Sequence, residues 1–85
     1  MININILNQS KETLITGENI QMLKLMVRPF TMVFEIYATV IGQDKDQCLG
    51  KYNTQNHGIE AFEELVTATC HGNPDNIYHM KAGVE

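Results

Sequence analysis

Hydrophobic residues recur at every second position from Phe30 to Val40. Phe30, Met32, Phe34, Ile36, Ala38 and Val40 share one parity without a polar interruption. Successive side chains of a strand point to opposite faces, so this spacing specifies a strand with one wholly apolar face. The other parity, Thr31, Val33, Glu35, Tyr37, Thr39 and Ile41, is mixed and suits a half-exposed surface. A strand over all of Phe30–Ile41 would reach ~40 Å at ~3.3 Å per residue, about twice the usual length. It therefore either bends at a bulge or projects in part beyond its sheet.

Around this strand the chain reads as further short strands and one helix. Ile2, Ile4 and Ile6 alternate with Asn3 and Asn5, which marks a half-buried strand. Asn8-Gln9-Ser10-Lys11 reads as a turn, and Thr13–Ile15 as a short return strand ended by Gly17. Ile20–Val27 carries apolar residues at both parities, as a central strand or one buried helical turn would. Arg28 precedes Pro29 and is biased toward an extended conformation, which favours the strand. Residues 42–46 form a polar turn, and Gln47–Asn53 pairs as the second arm of a hairpin. The period then changes. Ile59, Phe62, Leu65, Val66, Thr69 and Cys70 are spaced by threes and fours, giving a helix over Gln55–His71. Asn53 or Thr54 caps its start, Gly72 stands at its end, and Pro74 follows. Asn73–Asn76 reads as a turn, Ile77–Met80 as a last short strand, and Lys81–Glu85 as a frayed tail.

Composition bounds what such a chain can do. Eighty-five residues make one domain, 1–85, and the apolar share of 44% is that of a globular protein. No apolar run approaches the ~20 residues of a membrane span, because Lys24, Arg28 and Glu35 interrupt the richest stretch. Met1–Asn5 has neither the basic start nor the apolar core of a signal peptide, so the expected location is cytoplasmic. Net charge is −4, and Lys11, Lys24, Arg28, Lys45, Lys51 and Lys81 are scattered with no two adjacent. Nucleic-acid binding, which gains affinity from clustered cations, is disfavoured. Cys48 and Cys70 read as reduced thiols.

Three stretches carry a resemblance. They are Asn8–Ile15 with Glu18-Asn19-Ile20, then Leu49-Gly50-Lys51-Tyr52-Asn53-Thr54 leading into Ala61-Phe62-Glu63-Glu64-Leu65, and finally Tyr78-His79-Met80. Together the chain resembles a group of small uncharacterised proteins of Gram-positive bacteria and their phages, with a leucine-glycine-x-tyrosine, helix, tyrosine-x-methionine pattern. Two departures are Lys81, where proline often follows the methionine, and Gly58, where a good helix former is usual. The resemblance implies this order of elements and a bacterial or phage origin. It brings no activity and no functional residue.

Candidate chemistry is thin. His57, Cys70, His71 and His79 lack the paired spacings that put two ligands on one metal, although Cys70, His71 and His79 can meet across the turn after the helix. Ser10, the single serine, lies in a turn without a glycine-framed elbow. Asp44 and Asp46 lack the companions of a calcium loop, and Glu60, Glu63 and Glu64 form a solvated helix face. No glycine-rich phosphate loop is present. Glu35 stands between Val33 and Tyr37, either as an edge-protecting charge or as the partner of a basic residue.

The expected fold is α+β: a mainly antiparallel sheet of four to six strands packed on one C-terminal helix, about 55–71. The expected core is Ile4, Ile6, Phe34, Ile36, Val40, Leu49, Ile59, Phe62, Leu65 and Val66. The expected function is a non-catalytic protein–protein interaction module, a phage or mobile-element accessory protein without cofactor or metal that also forms homo-oligomers. Apolar residues on both faces of Met22–Val27, and on the second face of Phe30–Ile41, exceed what one helix covers. Candidate interface residues are therefore Leu23, Leu25, Val33, Glu35 and Tyr37. The alternative is a ligand-binding or enzymatic domain with a pocket near Cys70, His71 and Tyr78.

Overall fold

The chain folds as six strands and one α-helix in the computed structural model, which describes residues 4–71 and 77–81, with the His71 side chain excluded. In chain order they are β1 (Asn5–Leu7), β2 (Leu14–Ile15), β3 (Ile20–Val27), β4 (Phe34–Val40), β5 (Gln47–Tyr52), α1 (Gln55–His71) and β6 (Ile77–His79). The α+β class and the bounds of the helix match the reading of the sequence. The strands do not form one sheet. They divide into two three-stranded sheets, in the orders β2-β1-β6 and β3-β4-β5.

The division follows from local geometry between β2 and β3. A single 3-10 turn spans Gly17–Asn19, and the Asn5 side-chain oxygen accepts a hydrogen bond from the Gly17 amide at 3.1 Å. The chain is thus turned out of the first sheet before β3 begins. A bulge follows at once between Ile20 and Met22, which twists the start of β3 further. β1 pairs antiparallel with β2 and parallel with β6, with Ile6 opposite both Ile15 and Tyr78. The second sheet is a pair of antiparallel hairpins sharing β4.

The long alternating segment is shorter as a strand than its pattern. Phe30 and Met32 continue the parity of β4 but lie in the β3–β4 connection. There the Arg28 amide donates to the Val33 carbonyl, and the Met32 amide donates to the Arg28 carbonyl, both at 2.9 Å. Met32 takes a positive φ of 54°, the left-handed turn conformation that ends any strand. From Phe34 onward the expected face is buried: Phe34, Ile36, Ala38 and Val40 all join the core.

The core lies between the two sheets and α1. Ile4, Ile6, Ile15, Ile20, Ile36, Leu49, Tyr52, Leu65 and Met80 are buried together. Seven of the ten expected core residues are there. Phe62 is half-buried against the cluster, and Ile59 and Val66 are exposed. The helix is rotated from the bulky stripe toward a smaller one, in which Gly58, Ala61 and Leu65 are buried. Gly58 explains the rotation. A β-carbon at this position would lie 2.7 Å from Cβ of Phe34, so the missing side chain lets the first turn of α1 rest directly on β4. Thr54 caps that turn, its hydroxyl accepting from the His57 amide at 3.2 Å.

Contacts of Gln9 and Lys81 tie the segments after β1 and β6 to this frame. The Gln9 side-chain amide accepts from the Lys51 amide at 2.9 Å and donates to the Lys51 carbonyl at 3.1 Å, while its own backbone amide donates to the Leu49 carbonyl at 2.7 Å. One residue thereby occupies the outer edge of β5 as a strand would. The Tyr52 hydroxyl donates to the Lys81 carbonyl at 2.6 Å. Burial pushes this phenol up to about 12, so it remains a donor at any ordinary pH. Lys81 also pairs with Glu60 at 2.7 Å, so this first residue of the expected frayed tail is docked. Residues 82–85, Gly72, Pro74 and the turn expected at 73–76 lie outside the described residues.

Candidate interaction surface

The second face of the β3-β4-β5 sheet is built by strand register. Across β3 and β4, Met22 lies opposite Thr39, Lys24 opposite Tyr37, and Met26 opposite Glu35. Across β4 and β5, Glu35 lies opposite Lys51 and Tyr37 opposite Cys48. These residues share the face turned away from Leu25, Ile36 and Phe34. Met22 and Met26 are 55% and 49% exposed, so this face is open among the described residues.

Glu35 sits at the centre of that face and is buried there, 2% exposed, by the side chains around it. Its carboxylate accepts from Nε of Arg28 at 2.7 Å and from the Tyr37 hydroxyl at 3.1 Å, with Nζ of Lys51 3.7 Å away. Burial, the largest single influence, opposes ionisation of Glu35. Arg28, Tyr37 and Lys51 together outweigh it and hold the carboxyl below its ordinary value. Glu35 is therefore the partner of a basic residue rather than an edge guard. A second cluster lies along the strands, where Asp46 accepts from Nζ of Lys24 at 2.9 Å and from the Thr39 hydroxyl at 3.0 Å. The Lys24 hydrogen bond leads the influences that lower the Asp46 carboxyl.

Beyond this polar grid the hairpin tip is apolar. Phe30 is 99% exposed, and Met32 and Val27 stand out beside it. Met22, Met26, Val27, Phe30 and Met32 are five of the ten exposed large hydrophobic residues described, so half of those residues belong to one hairpin. The candidate residues named from the sequence do not include this tip. Phe30 and Met32 were indistinguishable from inward-facing strand residues by parity. Pro29, one position before Phe30, was the signal that the strand had been interrupted.

The five candidate interface residues do not lie together. Glu35 and Tyr37 share the open face, and half-buried Val33 leads into it from the hairpin connection. Leu23 and Leu25 lie on the opposite face, where they pair with Ala38 and Ile36 and pack against the core while remaining half-buried.

The alternative region offers less. Cys70 is exposed on the last turn of α1, His79 is exposed on β6, and the His71 side chain lies outside the described residues. Tyr78 is half-buried, and burial raises its phenol. Among the described residues no group of three or more His, Cys, Asp and Glu side chains is placed to hold a metal ion. The Cys48 thiol is half-buried and raised, first by burial and then by the nearby Glu35 charge, which disfavours the reactive thiolate. An open trough of about 680 Å³ runs along the outside of α1 past Asn56, Ile59, Glu60 and Glu63. No helix among the described residues is long and apolar enough to cross a membrane. Comparison with protein-family models, curated proteins and solved structures finds no match to this chain.

Proposed function

We propose that this protein is a non-catalytic interaction module that grips another protein with its β3–β4 hairpin. The observation that carries the reading is Phe30, an aromatic side chain 99% exposed at a hairpin tip. Exposed aromatic anchors flanked by methionine are a recurring way to fill a pocket on a partner, because methionine adapts its shape to the contact. Met22, Met26 and Met32 supply that adaptable surround, and Arg28 and Lys51, sharing the one buried carboxylate of Glu35, leave a net positive rim on a chain of net charge −4. The rim favours a partner whose contact surface is acidic. A role as a phage or mobile-element accessory protein rests on the family resemblance alone.

The test is affinity capture from a nuclease-treated lysate of a Gram-positive host, comparing the wild-type chain with Phe30→Ser. An exposed tip residue contributes little to folding, so circular dichroism of the two proteins is expected to coincide. A stoichiometric partner retained by the wild type and lost with Phe30→Ser supports the hairpin as the grip. Equal capture by both proteins, or capture of nothing, refutes it.

A further inference from the structure

We propose that the free edge of β3 pairs with β3 of a second copy, making a twofold-symmetric dimer with a continuous six-stranded sheet. This goes beyond the hairpin reading and does not depend on it. The starting point is the asymmetry of the β3-β4-β5 sheet. Its β5 edge is occupied by Gln9, whose amide pairs with both the amide and the carbonyl of Lys51. β3 is the other edge, eight residues long, and pairs only with β4 among the described residues.

Edge strands are normally guarded by a charge, a proline or a cover. β3 contains one charged residue, Lys24, and that ammonium is drawn across the sheet to Asp46 at 2.9 Å. Pro29 lies just past its end and bounds the segment able to pair. From Met22 to Val27, past the bulge, the edge is therefore largely apolar and uncovered among the described residues.

The sequence of β3 is complementary to itself in one register. A twofold axis perpendicular to the sheet keeps each side chain on its own face, so residues of equal parity oppose one another. With the axis at Leu25, Leu23 faces Val27 of the second copy, Leu25 faces Leu25, and Val27 faces Leu23. All three lie on the core-side face, where Leu23 and Leu25 are only half-buried and Val27 is 46% exposed. On the open face, Met26 faces Lys24 of the second copy and Met22 faces Arg28. No two like charges meet. Moving the axis to Lys24 sets the two ammonium groups against each other. Moving it to Leu23 sets Val27 against polar Asn19. Of these registers, Leu25 alone matches apolar residues across the core-side face without setting like charges together, and one free long edge among the described residues closes the assembly at two copies.

Light scattering on the full chain tests this by mass. Twice 9.6 kDa is expected for the wild type, falling toward the monomer on dilution. Met26→Lys opposes Lys24 of the second copy twice by symmetry and is expected to weaken association roughly tenfold. Met26→Glu is expected to preserve or tighten it. Within one chain Met26 lies beside Glu35, so any effect on fold stability runs in the opposite sense and is distinguishable. In a background with Cys48→Ser and Cys70→Ser, Leu25→Cys is expected to form an intermolecular disulfide. Directly opposed strand residues lie about 4.5–5.5 Å apart at Cα, within disulfide reach. A monomer at every concentration overturns the proposal. So does a dimer that responds alike to both Met26 variants, or one that Leu25→Cys fails to cross-link.

Discussion

Replacing Gly58 with alanine separates the local preferences of α1 from its packing. On helix propensity alone, the change stabilises an interior helical position by about 0.8–1.0 kcal/mol. Packing points the other way. The new methyl group would lie 2.7 Å from Cβ and 3.1 Å from Cγ of Phe34, on the central strand of its sheet. Cβ is fixed to the backbone, so no rotamer of Phe34 relieves the contact, and α1 must move off β4. Overpacking of this kind costs about 1–3 kcal/mol. A contact borne by backbone-fixed atoms belongs in the upper half of that range, which leaves a net loss of about 1–2 kcal/mol. For a domain of this size, each kcal/mol lowers Tm by about 4–8 °C. Urea denaturation followed by circular dichroism, with a thermal melt, measures both quantities. Thr67→Ala, on the exposed side of the same helix, provides the control and is expected to be neutral or slightly stabilising. A Gly58→Ala protein as stable as the wild type would show that α1 docks less closely than described.

Two further substitutions examine the open face and the β5 edge. Glu35→Gln is expected to destabilise the protein by about 1–2 kcal/mol at neutral pH, the hydrated positions of Arg28 and Lys51 moderating the loss. The folded carboxyl of Glu35 lies below its unfolded value of about 4.3, so its contribution is complete above that value and fades as pH falls through the folded one. The gap between wild type and Glu35→Gln should therefore close below about pH 4; a constant gap in urea titrations from pH 7 to acid would refute the ionic account. Gln9→Ala uncovers the backbone of Lys51 and is expected to cost about 1–2 kcal/mol. It should also speed hydrogen exchange at the Lys51 amide, and unchanged protection there would rule out the edge role of Gln9.

What the sequence revealed and concealed follows from the range of each interaction. The helix was legible to its last residue because a 17-residue periodic stretch, a threonine cap and a change of period all agree. β5 was legible from the polar turn before it, and β3 from its apolar run ending at Pro29. The buried face of α1 was misjudged because Ile59 and Val66 outweigh glycine and alanine in any apolar pattern. Close approach favours the small residues instead, and only the position of Phe34 reveals that. The two-sheet arrangement was hidden for a different reason: β6 pairs with β1 in parallel, a contact no local pattern encodes. In the candidate surface, Glu35 stood out as a charge within an apolar strand, while Phe30 was absorbed into an alternation that continued past the strand's true start.

The parallel pairing of β1 with β6 has a bearing on how the chain is made. Gln9 and Lys81, held together by that end of the molecule, are 72 positions apart. A growing polypeptide can complete the β3–β4 and β4–β5 hairpins as they emerge, since each is local. Ile4 and Ile6 must wait for Tyr78 and Met80, and contacts of such long span are formed late and slowly. Until then β1 has only the two residues of β2 beside it. Newly synthesised or prematurely terminated chains thus carry a formed hairpin sheet and an unsealed apolar flank. That is the feature by which holdases and proteases distinguish unfinished chains from finished ones.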